Sequence, residues 1–170
     1  MNKPAFIHST CVIDENVNIG VDTQIWLWTH VSKNVTIGKN CIIGQNVFIG
    51  ENVSIGNNVK IQNNVSIYDG VVLEDFAFCG PSCVFTNVKN PRSEFPTSKY
   101  VKTIVKKNAT IGGNSTIICG TEIGKYSFIG AGSVVTKNVK DYSLVYGNPA
   151  KQHGWVSESG NKLDKDFFCK

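Results

Sequence analysis

Val35-Thr36-Ile37-Gly38-Lys39-Asn40, Cys41-Ile42-Ile43-Gly44-Gln45-Asn46 and Val47-Phe48-Ile49-Gly50-Glu51-Asn52 are one six-residue phrase written three times in succession. Followed outward, the phrase places Ile, Val or Leu at every sixth position, with Ile7, Ile13, Ile19, Ile25 and Val31 before it and Ile55, Ile61, Ile67 and Leu73 after it. It runs from Ala5 to Val88 and resumes at Ala109 with Ile111, Ile117, Ile123, Ile129 and Val135. Neither a helix nor an ordinary strand has a period of six. Self-similarity at a fixed short period is the mark of a solenoid, in which each repeat buries its apolar face only against its neighbours.

Within a hexad such as Val35 to Asn40, the first and third residues are apolar or small and the second is polar. That is strand alternation over a very short strand, with positions one and three facing inward. Gly, polar residues and Asn fill the remaining positions, and these tolerate tight corners and left-handed backbone angles. Each hexad is thus one strand and one corner. Three hexads make a triangular coil, so residues 18 apart in sequence stack about 4.8 Å apart. The predicted organisation is a single all-β domain over residues 1–170, with hexads over 5–88 and 109–150, an inserted loop over 89–108 and a tail over 151–170 in which Trp155, Phe167 and Phe168 cap the last coil.

The chain has 170 residues and a net charge of +4, with no lysine run interleaved with aromatic residues, which argues against a nucleic-acid partner. Cys11, Cys41, Cys79, Cys83, Cys119 and Cys169 form no Cys-x-x-Cys pair and mostly occupy small apolar positions of the repeat. Reduced buried thiols are expected. No charged leader followed by an apolar run and no membrane-length apolar stretch is present, so a cytoplasmic protein without membrane association is expected.

The interruption Lys89-Asn90-Pro91-Arg92-Ser93-Glu94-Phe95-Pro96-Thr97-Ser98-Lys99-Tyr100 continues to Lys107 and holds the chain's only arginine, five lysines and one acid. A basic arm of this kind suits diphosphate oxygens. Asn87, fifth in its hexad, stacks on Asp69 one coil below, and the arm leaves the prism at that corner. Gln62, Asn63 and Asn64 replace the usual glycine-led corner one hexad before it, and Tyr68 adjoins Asp69. Convergence of polar groups in one place is the signal for a site. Asn87 and Asp69 are therefore candidate catalytic groups, and Gln62, Asn63, Tyr68, Lys89 and Arg92 candidate substrate contacts. His30 points outward from the same face three coils below Asn87, roughly 14 Å away. It could act as a base only across a subunit interface.

A second corner differs in character. Gly113, Ala131 and Pro149 are fifth-position residues spaced by 18 and are expected to stack into a smooth edge, with Gly112 and Gly130 beside them. A thin extended ligand could lie along it, and Lys137 and Lys151 are expected to meet a terminal phosphate at its end.

The repeat, with Ile61-Gln62-Asn63-Asn64-Val65-Ser66-Ile67-Tyr68-Asp69, Phe78-Cys79-Gly80-Pro81-Ser82, Phe85-Thr86-Asn87-Val88, Asn90-Pro91-Arg92 and Gly147-Asn148-Pro149-Ala150, resembles the hexapeptide-repeat nucleotide-linked amino-sugar N-acetyltransferases. More narrowly, it resembles the branch that acetylates the 3-amino group of UDP- or dTDP-linked sugars for surface polysaccharide. The resemblance covers nearly the whole chain. It implies a left-handed parallel β-helix, a homotrimer with active sites between subunits, acetyl-CoA as donor and no metal. It places Asn87 near the reacting amine and the edge of Gly113, Ala131 and Pro149 along the pantetheine. Where many relatives carry His after the tryptophan, this chain has Leu27.

Three other readings use the same prism. A zinc hydratase needs three imidazoles, two of them close together, whereas His8, His30 and His153 are scattered. A non-catalytic assembly module requires neither a polar corner nor a basic arm. Acetylation of a 4-amino nucleotide sugar, an antibiotic or serine is the remaining alternative, and the basic loop favours a phosphorylated acceptor.

Overall fold

A computed structural model describes residues 2–97 and 99–164. Short strands, most of two residues, wind into a left-handed β-helix of about eight turns. Each turn contributes one strand to each of three parallel sheets. The first face carries Phe6–Ile7, Gln24–Ile25, Ile42–Ile43, Lys60–Ile61, Phe78–Cys79, Thr110–Ile111, Phe128–Ile129 and Ser143–Gly147. The second runs from Val12–Ile13 to Val134–Val135, and the third from Asn18–Ile19 to Glu122–Ile123.

The third residue of each hexad points into the prism, so that Ile25, Ile43, Ile61, Cys79, Ile111 and Ile129 form one stacked column with 0% exposure. Burying an aliphatic side chain contributes very roughly 1.5–3 kcal/mol before entropy, which accounts for the strict spacing. Buried hydroxyls donate either to carbonyls of the next coil, as Thr29 Oγ1 to Gly44 O at 2.9 Å and Ser115 Oγ to Gly130 O at 3.0 Å, or to the corner three residues back, as Ser127 Oγ to Gly124 O at 2.7 Å.

The sixth position explains the abundance of asparagine. Asn16, Asn34, Asn40, Asn46, Asn52, Asn58, Asn64, Asn108 and Asn114 all have φ between 55° and 61°. Asn enters this left-handed region more cheaply than other side-chain-bearing residues. Stacked copies also bond to one another, as where Asn46 Nδ2 donates to Asn64 Oδ1 at 3.0 Å.

Two boundaries differ from the sequence expectation. The insertion is shorter than 89–108, because Thr103–Val105 pairs in parallel with Val71–Leu73 and Asn108 takes a corner φ of 59°. Thr103-Ile104-Val105-Lys106-Lys107-Asn108 is a full hexad disguised by two lysines where the usual glycine stands. At the other end the last coil is two residues short. Val139 bridges Ile123 and Val145 pairs with Ile129, both 16 residues apart instead of 18.

The chain then reverses through Gly147, Asn148, a cis-Pro149 and Ala150, and Ala150–Trp155 runs antiparallel to Ser143–Gly147. This hairpin covers the edge of the first sheet, with Val156 buried and Trp155 half-buried against it. Phe167 and Phe168, expected to cap the last coil, lie outside the described residues, as does Cys169. Cys41, Cys79, Cys83 and Cys119 are buried free thiols, and Cys11 is a partly buried one.

Candidate active site at two corner columns

The corner that follows the second face stacks Gly50, Tyr68-Asp69, Thr86-Asn87, Ile118-Cys119 and Thr136-Lys137 in successive coils. Asp69 and Asn87 are therefore neighbours, as the sequence predicts. The inserted loop closes back over them: Val101 N donates to Asn87 O at 2.8 Å and Thr103 N to Gly70 O at 2.9 Å. Gly70 has φ +86°, and a β-carbon there would stand 3.3 Å from Val101 O and 3.6 Å from Tyr100 Cβ. Only glycine suits both the angle and the roof.

Asp69 departs from the pattern of its position. At three other corners the fifth residue turns its side-chain oxygen onto the backbone of the coil below: Lys39 N donates to Asn57 Oδ1 (3.0 Å), Gln45 N to Asn63 Oδ1 (3.1 Å) and Asn57 N to Asp75 Oδ1 (2.6 Å). Asp69 lies above Gly50 in the same way, yet among the described residues its carboxylate makes no such bond. Its Oδ1 packs over Gly50 but makes no hydrogen bond among the described residues, so this half-buried carboxylate under the roof keeps its acceptor capacity for a ligand amine. Tyr68 lies beside it on the outer second face, its ring 5.7 Å from that of Phe48.

Lys89 folds over the next corner up, with Cε 3.4 Å and Nζ 3.7 Å from the β-carbon position of Gly120. Its ammonium thus joins the column of Asp69 and Asn87. Lys137 belongs to this same column, since Val135 pairs with Ile117. This corrects the expectation that it flanks the glycine edge; it sits one face away. Arg92 stands further out on the loop, exposed, and among the described residues its Nη1 donates only to Pro91 O at 3.4 Å.

The other column follows the first face and stacks Trp26-Leu27, Gly44-Gln45, Gln62-Asn63, Gly80-Pro81, Gly112-Gly113 and Gly130-Ala131. Gln62 and Asn63 line a recess of about 220 Å³ with Trp26, Leu27 and Gln45. They are a full face away from Asp69 and Asn87 in the same chain. Six residues of chain separate neighbouring corners, at most about 20 Å when extended.

Above them, Pro81, Gly113 and Ala131 form the smooth edge. Asn114 N donates to Pro81 O and Gly132 N to Gly113 O, each at 2.9 Å. Gly112 packs so tightly that a β-carbon would lie 2.5 Å from Ala131 N. Its own N–H is spent on Ile129 O at 2.8 Å, whereas Gly113 and Ala131 N–H make no hydrogen bond among the described residues. Pro149 is not stacked on Ala131. The 16-residue register puts Gly147 there, its N–H bonded to Ser133 Oγ at 3.3 Å, and moves Pro149 and Lys151 into the hairpin. Gly130 lies under Tyr146, whose ring stacks on His153 at 3.7 Å.

His30 projects from the second face, Nε2 3.1 and 3.2 Å from the Asp14 carboxylate oxygens and its ring edge-on to Phe48. Three strand pairings separate it from the Asn87 corner. Two site residues escape the sequence reading. Tyr100 roofs the Asp69 corner but has no hexad register to place it, and Pro81 is hidden because the insertion changes its offset from Gly113 to 32 residues. Among the described residues no three His, Cys, Asp or Glu side chains gather as a metal-binding group, and no helix is long and apolar enough to cross a membrane.

Two family models match the chain: the bacterial transferase hexapeptide (six repeats) over residues 102–137 and the hexapeptide repeat of succinyl-transferase over residues 34–69. Over 172 aligned residues the chain is 44% identical to a dTDP-3-amino-3,6-dideoxy-alpha-D-galactopyranose 3-N-acetyltransferase of Aneurinibacillus thermoaerophilus, covering 99% of this chain and 89% of that protein. A hexapeptide-repeat acetyltransferase of Vibrio cholerae, solved with acetyl coenzyme A, is 26% identical with a TM-score of 0.56, over 68% of this chain and 70% of that one. A GDP-perosamine N-acetyl transferase of Caulobacter crescentus, solved with CoA and GDP-perosamine, shares the fold with a TM-score of 0.62 at 19% identity. The match covers 91% of this chain but only 58% of that one.

Proposed function

Because the chain belongs to the hexapeptide-repeat N-acetyltransferases of nucleotide-linked 3-amino sugars, we propose that it moves the acetyl group of acetyl-CoA to the 3-amino nitrogen of a dTDP- or UDP-linked amino-deoxy sugar. The observation that carries this reading is the 44% identity to a dTDP-3-amino sugar N-acetyltransferase over 99% of the chain, which favours dTDP over UDP. The product is an N-acetylated nucleotide sugar for surface-polysaccharide assembly in the cytoplasm.

The chemistry fits the two columns. The neutral amine attacks the thioester carbonyl, a C–N bond forms and the C–S bond breaks. The ammonium proton is lost to the departing CoA sulfur, so no resident base is required. Asp69 and Asn87 accept hydrogen bonds from the amine and aim its lone pair. The pantetheine lies along Pro81, Gly113 and Ala131, and the Ala131 N–H polarises the carbonyl. One well-placed oxyanion donor contributes around 3 kcal/mol, and positioning contributes more.

The amine column and the thioester column of one chain stand a face apart. A second copy placing its first-face corner against the Asp69 corner closes that gap, and three copies around an axis give three equivalent sites. His30 and Gln62 then lie at or near these junctions. Lys89 and Arg92 take the diphosphate.

The test is thiol release from acetyl-CoA with dTDP- and UDP-linked 3-amino sugars and their 4-amino isomers. Turnover of a 3-amino sugar and not its isomer supports the assignment. Turnover confined to a 4-amino isomer contradicts it, and so does turnover of serine or an unlinked sugar, run beside the panel, when no 3-amino nucleotide sugar reacts.

A further inference from the structure

Phe95 is the most exposed large apolar side chain among the described residues, at 71%. It does not sit on the open ends of the prism, where stray apolar exposure is expected, but on the inserted loop eight residues beyond Asn87. Its N–H donates to Arg92 O at 3.1 Å, so a tight turn holds Arg92 and Phe95 together. Between them opens a recess of about 340 Å³, walled by Pro91 and Pro96 and edged by Ser93 and Thr97. Two prolines limit the freedom of the walls. The Arg92 guanidinium meets no carboxylate among the described residues and bonds only weakly to Pro91 O. An aromatic face and a free guanidinium facing one recess are the pieces that recognise a nucleobase and its phosphates.

The order along the chain is the second observation. The amine corner ends at Asn87, the guanidinium follows at Arg92 and the exposed ring at Phe95. A nucleotide sugar has the same order: sugar, diphosphate, nucleoside. We propose that Phe95 is the stacking platform for the nucleobase of the acceptor, with Arg92 on the diphosphate, so that one loop measures the whole ligand from its amine to its base. The proposal rests on the acceptor being a nucleotide-linked sugar.

Two kinds of measurement separate this proposal from that premise. In the first, the full chain is titrated calorimetrically with dTDP, UDP and inorganic pyrophosphate, which needs no turnover. Phe95→Ala weakens dTDP and UDP binding about 5- to 150-fold, in line with the loss of one base–aromatic stack, and leaves pyrophosphate binding unchanged. Arg92→Ala weakens all three. Phe95→Tyr restores nucleotide binding. In the second, steady-state kinetics on an accepted nucleotide sugar place the Phe95→Ala loss in its KM and not in the KM for acetyl-CoA.

Nucleotide affinity within twofold of wild type in Phe95→Ala overturns the proposal, and so does failure of wild type to bind dTDP or UDP. A fall in oligomer mass by light scattering in Phe95→Ala also overturns it, because Phe95 would then be covered by another subunit. Absence of turnover with every 3-amino sugar counts against the proposed reaction, while the calorimetric comparison still decides the platform.

Discussion

The carboxylate of Asp69 lies directly over Gly50, so close that a β-carbon on Gly50 would fall 2.1 Å from Asp69 Oδ1 and 2.8 Å from its backbone nitrogen. Gly38, Gly44 and Gly56 are covered almost as closely, so glycine at residue 50 meets the packing demand of every such corner, and here the oxygen above it belongs to Asp69. Gly50→Ala is expected to push the Asp69 carboxylate aside and lower kcat/KM by at least about tenfold, with acetyl-CoA affinity kept, since the thioester edge is on another column. Kinetics with calorimetry on the same preparation check this.

Trp28 combines two unfavourable features, a positive φ of 56° and 62% exposure. Its position stacks one coil below Asn46, which already bonds upward to Asn64. Trp28→Asn removes a backbone cost of roughly 1–2 kcal/mol and extends the asparagine ladder. Tm should rise by about 2–6 °C at this chain length. A lower Tm together with a smaller oligomer would instead assign Trp28 to a subunit contact.

Core substitutions should grade along the prism. Ile61 is fully buried with coils above and below, whereas Ile7 is 40% exposed at the open first coil. Ile61→Ala is expected to cost about 2–5 kcal/mol and Ile7→Ala under about 1 kcal/mol, read from urea unfolding.

The thiols should differ in reactivity. A hydrogen bond with Cys83, and then burial, hold Cys79 well above the ordinary thiol range, and burial raises Cys41. A raised pKa keeps the unreactive thiol form as pH rises, so at pH 8 neither residue should be alkylated in the native protein. Among the five described cysteines, partly exposed Cys11 should label first by peptide mass spectrometry.

Subunit mixing tests the division of labour. Asn87→Ala disables the amine column and Ala131→Trp blocks the thioester edge, each in its own copy. If the two columns meet across subunits, mixed oligomers regain activity at sites built from one intact column of each parent. A mixture no more active than the parents would place both columns of a site in one chain.

The sequence made the prism legible because each hexad repeats one physical problem, an inward Ile followed by a corner, and solves it with the same residues. Asp69 and Asn87 were legible for the same reason, since an 18-residue step is a spatial neighbour. The arithmetic failed where the step changed length. Thr103–Val105 hid as loop because lysines stand where glycine usually does, and the 16-residue last coil displaced Pro149 from the Ala131 edge. Lys137 stands close in sequence to the glycine edge but stacks in the corner after the second face, since Val135 pairs with Ile117. Tyr100 and the Arg92–Phe95 recess depend on how an aperiodic loop folds back, and no period reports that.

The most direct test of the central claim is kcat/KM for a dTDP-linked 3-amino sugar in Asp69→Asn and Asn87→Ala, with acetyl-CoA affinity and Tm measured on the same proteins. Both variants should lose about 100-fold or more in kcat/KM, keep acetyl-CoA binding and keep Tm, since neither side chain is spent on the fold. Near-normal kcat/KM in both variants would contradict the assignment of this corner to the reacting amine.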